Sequence, residues 1–335
     1  MNIKIIHYNH FFGESLPTYK SMDMAVIQKT LEKNGFSVEF VSVEALQNEP
    51  LDTSSLYLCG SHQNASVKQY YDDVLDFPHI EERLIPRRLL IKAHENKGYQ
   101  GLLARSLDIP YVEQYYFIDE KPVTTKTVVK CLSGAGSAGV TLCETTEEQS
   151  RFLRKPKFWS STSGQLFAYL KSLIKFRLRK GDYLAEKLQF NSPRVRYVQQ
   201  KFIPNLSFDY KVLVFMDKCF VLKRGVREQD FRASGSGKFE FIEPSEALLD
   251  FALSIRKKLN SPYVSLDVIE HDNGFECIEY QCVHFGPYTQ MKAPKYYRYA
   301  NGKWEAKDNN TILEELIGQS VADFVQQQHL VKDGR

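Results

Sequence analysis

Between residues 3 and 59 the chain alternates short apolar runs with a helix-spaced segment, a β-α-β rhythm that confines its opening to a small parallel-sheet domain. Residues 3–6 (IKII) suit a buried strand. In residues 23–34, Met24, Ile27 and Leu31 share one helical face, and Gly35 stands where a helix stop is expected. Residues 36–43 and 56–59 read as a second and a third strand. Ligands of such sheets bind beyond the carboxyl ends of the strands, which here directs attention to two polar loops, YNHFFGES (8–15) and GSHQN (60–64). His7 and His10 sit at the end of the first strand and read as substrate contacts or as satisfied structural histidines. This domain is expected to cover residues 1–92.

A second α/β unit follows. Residues 96–107 have helical spacing, and Ile109-Pro110 ends them, because the residue before a proline avoids the helical region. Residues 128–130 form a strand, a glycine run intervenes, and residues 140–143 form another strand. Thr145-Thr146-Glu147-Glu148 carries a hydroxyl cap and an acidic first turn. From residue 197 onward the patterns at 197–202, 210–215, 219–224, 239–241, 264–270 and 275–280 make a mainly antiparallel series, with helices at 245–259 and 311–328. A chain of 335 residues exceeds one comfortable core. Central and C-terminal subdomains are therefore expected at 93–197 and 198–335.

Composition narrows the class. No apolar run approaches the roughly 20 residues that span a bilayer. The start passes directly into a strand pattern, without the layout of a secretory signal. Six scattered cysteines lack C-x-x-C spacing, as expected for reduced thiols in a cytoplasmic protein. Charge is unevenly spread: residues 151–197 hold twelve Lys/Arg and two Asp/Glu, a net of +10 in a chain of net +3, which leaves −7 elsewhere. Within this segment, FAYLKSLIKFRLRK (167–180) places Phe167, Leu170, Leu173, Ile174 and Leu178 on one helical stripe, with Lys171, Lys175, Arg179 and Lys180 supplying charge. Such a helix lies on an anionic membrane, holds a polyanion, or packs its stripe against its own lobe.

Gly134-Ala135-Gly136-Ser137-Ala138-Gly139 matches G-x-G-x-x-G. A dinucleotide fingerprint needs this loop to open a helix, with an acid about 20 residues later. Here the loop runs into the strand-like Val140-Thr141-Leu142, and residues 155–160 read KPKFWS. A loop between two strands folds over a triphosphate instead, its N–H groups facing phosphate oxygens, or is a structural hairpin. Lys130 closes the strand before it, in reach of phosphate. Gln199-Gln200-Lys201-Phe202-Ile203 forms a linker strand able to bind adenine through its backbone, with Asp209 beyond it for ribose hydroxyls. SLDVI (265–269) and CIEYQ (277–281) are neighbouring strand patterns. Alternation puts Glu279 and Gln281 on one face; Asp267, Glu279 and Gln281 then offer the hard oxygen ligands that magnesium prefers.

With these residues the chain resembles the ATP-grasp superfamily over about residues 93–290, especially the D-alanine–D-alanine ligases and ribosomal-protein glutamate ligases. The resemblance implies an α/β ATP-grasp fold preceded by a small parallel-sheet domain. The family's first ATP lysine lies thirteen residues before a proline, as Lys97 precedes Pro110 in NKGYQGLLARSLDIP. Its second lysine precedes the glycine loop, as Lys130 does, making Gly134, Gly136 and Gly139 phosphate contacts. VQQKFIP is similar to the family's hinge, which makes Gln200, Lys201 and Ile203 adenine-side candidates and Asp209 the ribose carboxylate. KRGVREQDFRASGSG looks like the glutamate-ligase branch, whose arginines face phosphates; Arg224 and Arg232 match. Asp267 and Glu279 match the family's magnesium ligands. Gln281 replaces the usual asparagine, and QCVHFGPYT has Gly286 and Pro287 reversed and delayed against the usual N-x-x-P-G.

The resemblance implies that ATP and magnesium, or manganese, activate a carboxylate as an acyl phosphate, which an amine or similar nucleophile then attacks. The rivals are a small-molecule kinase on the same fold and a non-catalytic nucleotide-binding regulator. No nucleic-acid partner is expected, the basic segment is a candidate contact for anionic membrane or polyanion, and the oligomeric state is open, a dimer included.

Overall fold

The computed structural model describes residues 1–48, 54–76, 80, 82–132, 134, 139–179, 181–227, 232–233 and 235–333, the last five of these by backbone alone. The chain divides into two compact units, one made of Met1–His94, Leu102–Tyr111 and Asn205–Arg335, the other of Glu95–Gly101 and Val112–Pro204.

The first unit opens with strands β1 (Asn2–His7), β2 (Ser37–Ser42), β3 (Leu56–Cys59) and β4 (Leu84–Ile85), in spatial order β2-β1-β3-β4 and all parallel. Helix α1 (Met24–Lys33) starts where the Asp23 carboxylate accepts from the Ala25 N–H, and it buries Ile27 and Leu31. Asn64 caps α2 (Ala65–Val74) in the same way through the N–H groups of Ser66 and Val67. The buried Arg88, first residue of α3 (Arg88–Ala93), binds Asp72 and Asp76 and so ties α2 to α3.

The same unit holds a seven-stranded antiparallel sheet. Its centre is β9 (Phe208–Phe215), flanked by β10 (Lys218–Gly225) and β12 (Tyr263–His271), with β13 (Gly274–Gln281) at one edge and the β14 (Lys295–Ala300)–β15 (Lys303–Asp308) hairpin at the other. The short β11 (Phe239–Glu240) pairs with β10. Side chains alternate between the two faces of a strand. On one face, Val212, Val214, Val264 and Leu266 are fully buried, and α8 (Glu246–Leu259) contacts strands β9, β10 and β12. On the other face, Leu213, Phe215, Phe220 and Tyr263 join Ile3, Ile5, Phe12, Ile27, Phe285 and the C-terminal α10 (Leu313–Asp333) in one core, and the short α9 (Tyr288–Lys292) contacts β9 and β10. Farther along these strands that second face turns ionic, and there the candidate residues of this unit lie.

The second unit is a four-stranded antiparallel sheet of β5 (Gln114–Phe117), β6 (Thr127–Cys131), β7 (Val140–Cys143) and β8 (Tyr197–Lys201), ordered β5-β8-β6-β7. Val129, Cys143 and Tyr197 pack on one face with Leu153 of α5 (Thr146–Trp159). Helices α6 (Ser163–Arg179) and α7 (Asp182–Asn191) complete the basic segment, and Asn191 donates to Ser172 Oγ at 2.9 Å between them. Lys130 pairs with Val140 across the glycine loop. The loop thus joins two strands instead of opening the helix that a dinucleotide fingerprint needs.

All six cysteines are free thiols. Among the described residues, no helix is long and apolar enough to cross a membrane.

Candidate functional site

In the second unit Lys130 and Gln200 share the sheet face opposite α5, whereas alternation puts Lys201 on the α5 side. Register pairs Gln114 with Gln200, Gln200 with Val128, and Val198 with Lys130, and paired residues of an antiparallel ladder share a face. Gln114, Gln200 and Lys130 are all buried there. The first turn of α4 (Lys97–Ser106) comes close to this face because two of its residues lack a side chain. A Cβ at Gly101 would stand 2.2 Å from Gln114 Nε2, and one at Gly98 would stand 2.5 Å from the Tyr116 ring.

That approach fixes Lys97. Its carbonyl accepts from Gln114 Nε2 at 2.7 Å, and Gln200 Nε2 donates to Gln114 Oε1 at 3.2 Å. The buried Lys97 ammonium donates to the Gly134 carbonyl at 3.1 Å, so it sits at the mouth of the glycine loop. Gly134 and Gly139 have φ of +125° and +74°, conformations that L side chains rarely adopt. Gly136 lies outside the described residues. Beyond Gln200, Lys201 is exposed and Ile203 half-buried, and the Lys201 N–H donates to the Glu113 carbonyl. Gln114, which braces both Lys97 and Gln200, escapes sequence reading, since an isolated glutamine carries no motif.

In the first unit the ionic end of the large sheet gathers four charges from three strands. Register places Arg224 opposite Asp209, Lys211 opposite Asp267, and Asp267 opposite Glu279. Arg224 grips Asp209 with a two-pronged fork, Nε to Oδ1 at 2.6 Å and Nη2 to Oδ2 at 2.8 Å. The same Nη2 stands 3.0 Å from Asp267 Oδ2, and Lys211 Nζ stands 3.0 Å from Asp267 Oδ1. Burial pushes the Asp209 carboxyl up to about 6 against the pull of Arg224. Burial also opposes ionisation of Asp267, but Arg224 and Lys211 together overcome it and hold that carboxyl well below the usual range. Arg224 is correspondingly locked in its charged form: Asp267 and Asp209 outweigh the cost of burying it. The sequence singled out Asp209, Arg224 and Asp267 separately; the structure brings them together and adds Lys211.

Next to this cluster, Gln281 Nε2 donates to Glu279 Oε1 at 3.4 Å, and Gln281 Oε1 lies 2.7 Å from His94 Nδ1. The His94 ring meets the His284 ring edge-on with centroids 4.5 Å apart. Burial drives the His94 pKa down to about 3 and that of His284 well below its ordinary value, so both imidazoles are neutral. A neutral His94 whose Nδ1 donates to Gln281 holds that amide's orientation. Elsewhere in the unit, the His7 and His10 rings stack at 5.2 Å. The half-buried Arg232 accepts, through its carbonyl, from the Arg227 N–H at 3.1 Å.

Among the described residues, no group of three or more His, Cys, Asp or Glu forms a metal cage. Asp267 and Glu279, cross-strand partners, present two carboxylates, with the Gln281 amide beside them and the buried, unpartnered hydroxyl of Ser265 opposite Gln281. An all-oxygen set with two acids fits magnesium, which takes one or two carboxylates and completes its shell with phosphates and water. It does not suit zinc, which favours nitrogen and sulfur.

With a four-stranded parallel sheet and antiparallel sheets of seven and four strands, the chain shares its mixed α/β fold with solved ATP-grasp ligases. D-cycloserine synthetase DcsG aligns over 96% of this chain and 99% of its own, with a TM-score of 0.54 at 11% identity. The ATP-grasp ligase PsnB complexed with minimal precursor gives 0.53 at 12% identity, over 96% of this chain and 98% of its own. The D-alanine–D-alanine ligase of Bacillus anthracis complexed with ATP gives 0.50 at 14% identity, over 98% and 99%. No family model and no curated protein sequence matches the chain.

Proposed function

We propose that this chain is an ATP- and magnesium-dependent ligase that activates a carboxylate as an acyl phosphate and joins it to an amine or similar nucleophile. The observation that carries the reading is the ladder register that sets Asp267 beside Glu279 with Arg224 and Lys211 at hand, on an ATP-grasp fold. Lys97 and Lys130 neutralise phosphate oxygens, and the N–H groups about Gly134, Gly136 and Gly139 cradle them. Gln200, Lys201 and Ile203 line the adenine. Asp209 serves the ribose once it exchanges its present partner, Arg224. Asp267 and Glu279, with Gln281, would hold magnesium, which would supply neutralisation of phosphate charge during in-line transfer. Arg224 would stabilise the charge that builds on the transferring phosphoryl group, and Arg232 would do so beside it. The protein contributes mainly positioning and electrostatics. By function the chain divides into substrate loops within 1–92, phosphate groups within 93–197 and metal ligands within 198–335.

The test is a screen of ADP release across carboxylates paired with amines, with products identified by mass spectrometry. ADP, free phosphate and an amide support the ligase. A product that keeps the phosphate identifies a kinase, and saturable ATP binding without turnover on any pair identifies a regulator.

A further inference from the structure

We propose that the helical segment of the second unit is a docking surface for anionic lipid membrane. Helix α6 has apolar residues on two sides. Its inner side, with Tyr169, Leu173 and Phe176 half-buried and Ser172 buried, faces α7. Its outer side carries a second stripe, in which Phe167 is 69% exposed, Leu170 53%, Ile174 58% and Leu178 78%. At 100° per residue, Phe167, Ile174 and Leu178 fall within about 40° of one another, with Leu170 some 40° further round. Exposed Lys171, Lys175 and Arg179 border this stripe on one side and exposed Arg177 on the other.

The stripe runs for about 16 Å at helical rise. Each neighbouring helix also carries a large exposed aromatic, Trp159 at 82% and Phe190 at 81% exposure. An apolar ridge hemmed by cations is what an interfacial helix presents: the ridge enters the headgroup boundary while the lysine and arginine stems reach outward to lipid phosphates. The net +10 of residues 151–197, in a chain otherwise at −7, supplies the complementary charge. It also argues against a second copy of this chain as the occupant, because two such faces repel. A ridge of protruding side chains, and not a groove, favours a lipid surface over an acidic peptide. The contact is reversible, as one short amphipathic surface provides.

The test is sedimentation of the full chain, without nucleotide, with mixed phosphatidylcholine–phosphatidylglycerol vesicles and with pure phosphatidylcholine vesicles, at low and high salt. One variant removes charge (Lys171→Gln, Lys175→Gln, Arg177→Gln and Arg179→Gln), and another removes the ridge (Phe167→Ser, Ile174→Ser and Leu178→Ser). All seven positions are exposed, so both variants are expected to melt with the parent. The parent is expected to sediment with the mixed vesicles at low salt, and each variant, like high salt, to weaken binding at least about tenfold. Equal binding to neutral vesicles, or none to either, overturns the proposal. Full binding by the ridge variant with loss only in the charge variant overturns it in favour of a soluble polyanion.

Discussion

Replacing Arg224 with methionine isolates the physics of the ionic end of the sheet. Arg224 is buried, and its fork supplies both oxygens of Asp209. Asp267 keeps Lys211 at 3.0 Å, so the loss falls mainly on Asp209. Removing one partner of a buried ion pair costs about 3–5 kcal/mol, because the other charge stays desolvated. For a unit of this size that corresponds to a fall of about 6–10 °C in melting temperature. The cost must also depend on pH. Asp209 already has its carboxyl raised by burial from 3.8 to about 6, and losing Arg224 raises it further. A carboxyl raised in the folded state binds its proton more tightly than the unfolded chain does. The unfolded state is common to both proteins, so the pH-dependent part of the penalty is absent below about pH 6, where Asp209 is protonated in both folded forms, and grows as pH rises toward the variant's higher folded value. Urea unfolding of the metal- and nucleotide-free protein is expected to show the full deficit at pH 8 and a clearly smaller one at pH 5. Adding Asp209→Leu to Arg224→Met should recover most of the loss at pH 8, since replacing a whole buried pair by apolar groups is often neutral. A deficit identical at both pH values, or a double variant as unstable as the sum of its singles, refutes the reasoning.

Other outcomes are equally accessible. Asp267→Asn and Glu279→Gln are each expected to abolish substrate-dependent ADP release while retaining most nucleotide affinity by calorimetry; near-normal turnover by the double variant removes both from the metal site. Lys97→Ala and Lys130→Ala are each expected to weaken ATP binding at least about tenfold, the loss of one charge-assisted phosphate contact, and NAD is not expected to bind at all. Gly101→Ala and Gly98→Ala should destabilise by about 1–3 kcal/mol through overpacking. Gly164→Ala, where a Cβ would meet only Thr162 Oγ1 at 4.0 Å, should stabilise α6 by a few tenths to about 1 kcal/mol from helix propensity. Chemical denaturation of the three alanine variants reads both signs.

Local pattern made much of this legible. Periodicity of two located Asp267 and Glu279 on facing strands, and the apolar runs at 3–6, 36–43 and 56–59 located three strands of the parallel sheet. Register between distant strands is a different matter. Lys211 meets Asp267 only because β9 pairs with β12, and His94 meets Gln281 across 187 residues, so no window of sequence contains either contact. Periodicity found the stripe on α6 but cannot say which side a neighbour covers; Leu173 turned inward while Phe167, Leu170, Ile174 and Leu178 stayed out, and Lys180 lies outside the described residues. One signal was present and went unread. Asn301-Gly302, with φ of +52° and +79°, makes the two-residue turn between β14 and β15 that an Asn-Gly pair between strand patterns announces. The C-terminal helix reaches Asp333, past the expected 328, because an apolar pattern fades before a helix must end.

The core that binds Ile3, Ile5, Ile27 and Leu31 to Leu213, Phe215, Tyr263 and Val325 has a consequence for the order in which the chain becomes a protein. Synthesis delivers the parallel sheet first, yet the surface that seals its inner side arrives only with β9, β12 and α10. The residues from Val112 to Pro204 meanwhile have nearly all the partners of their own unit within reach. The nascent chain therefore holds an uncovered apolar sheet for the time taken to translate some two hundred residues, and a ribosome stalled before α10 presents that sheet to chaperones and proteases.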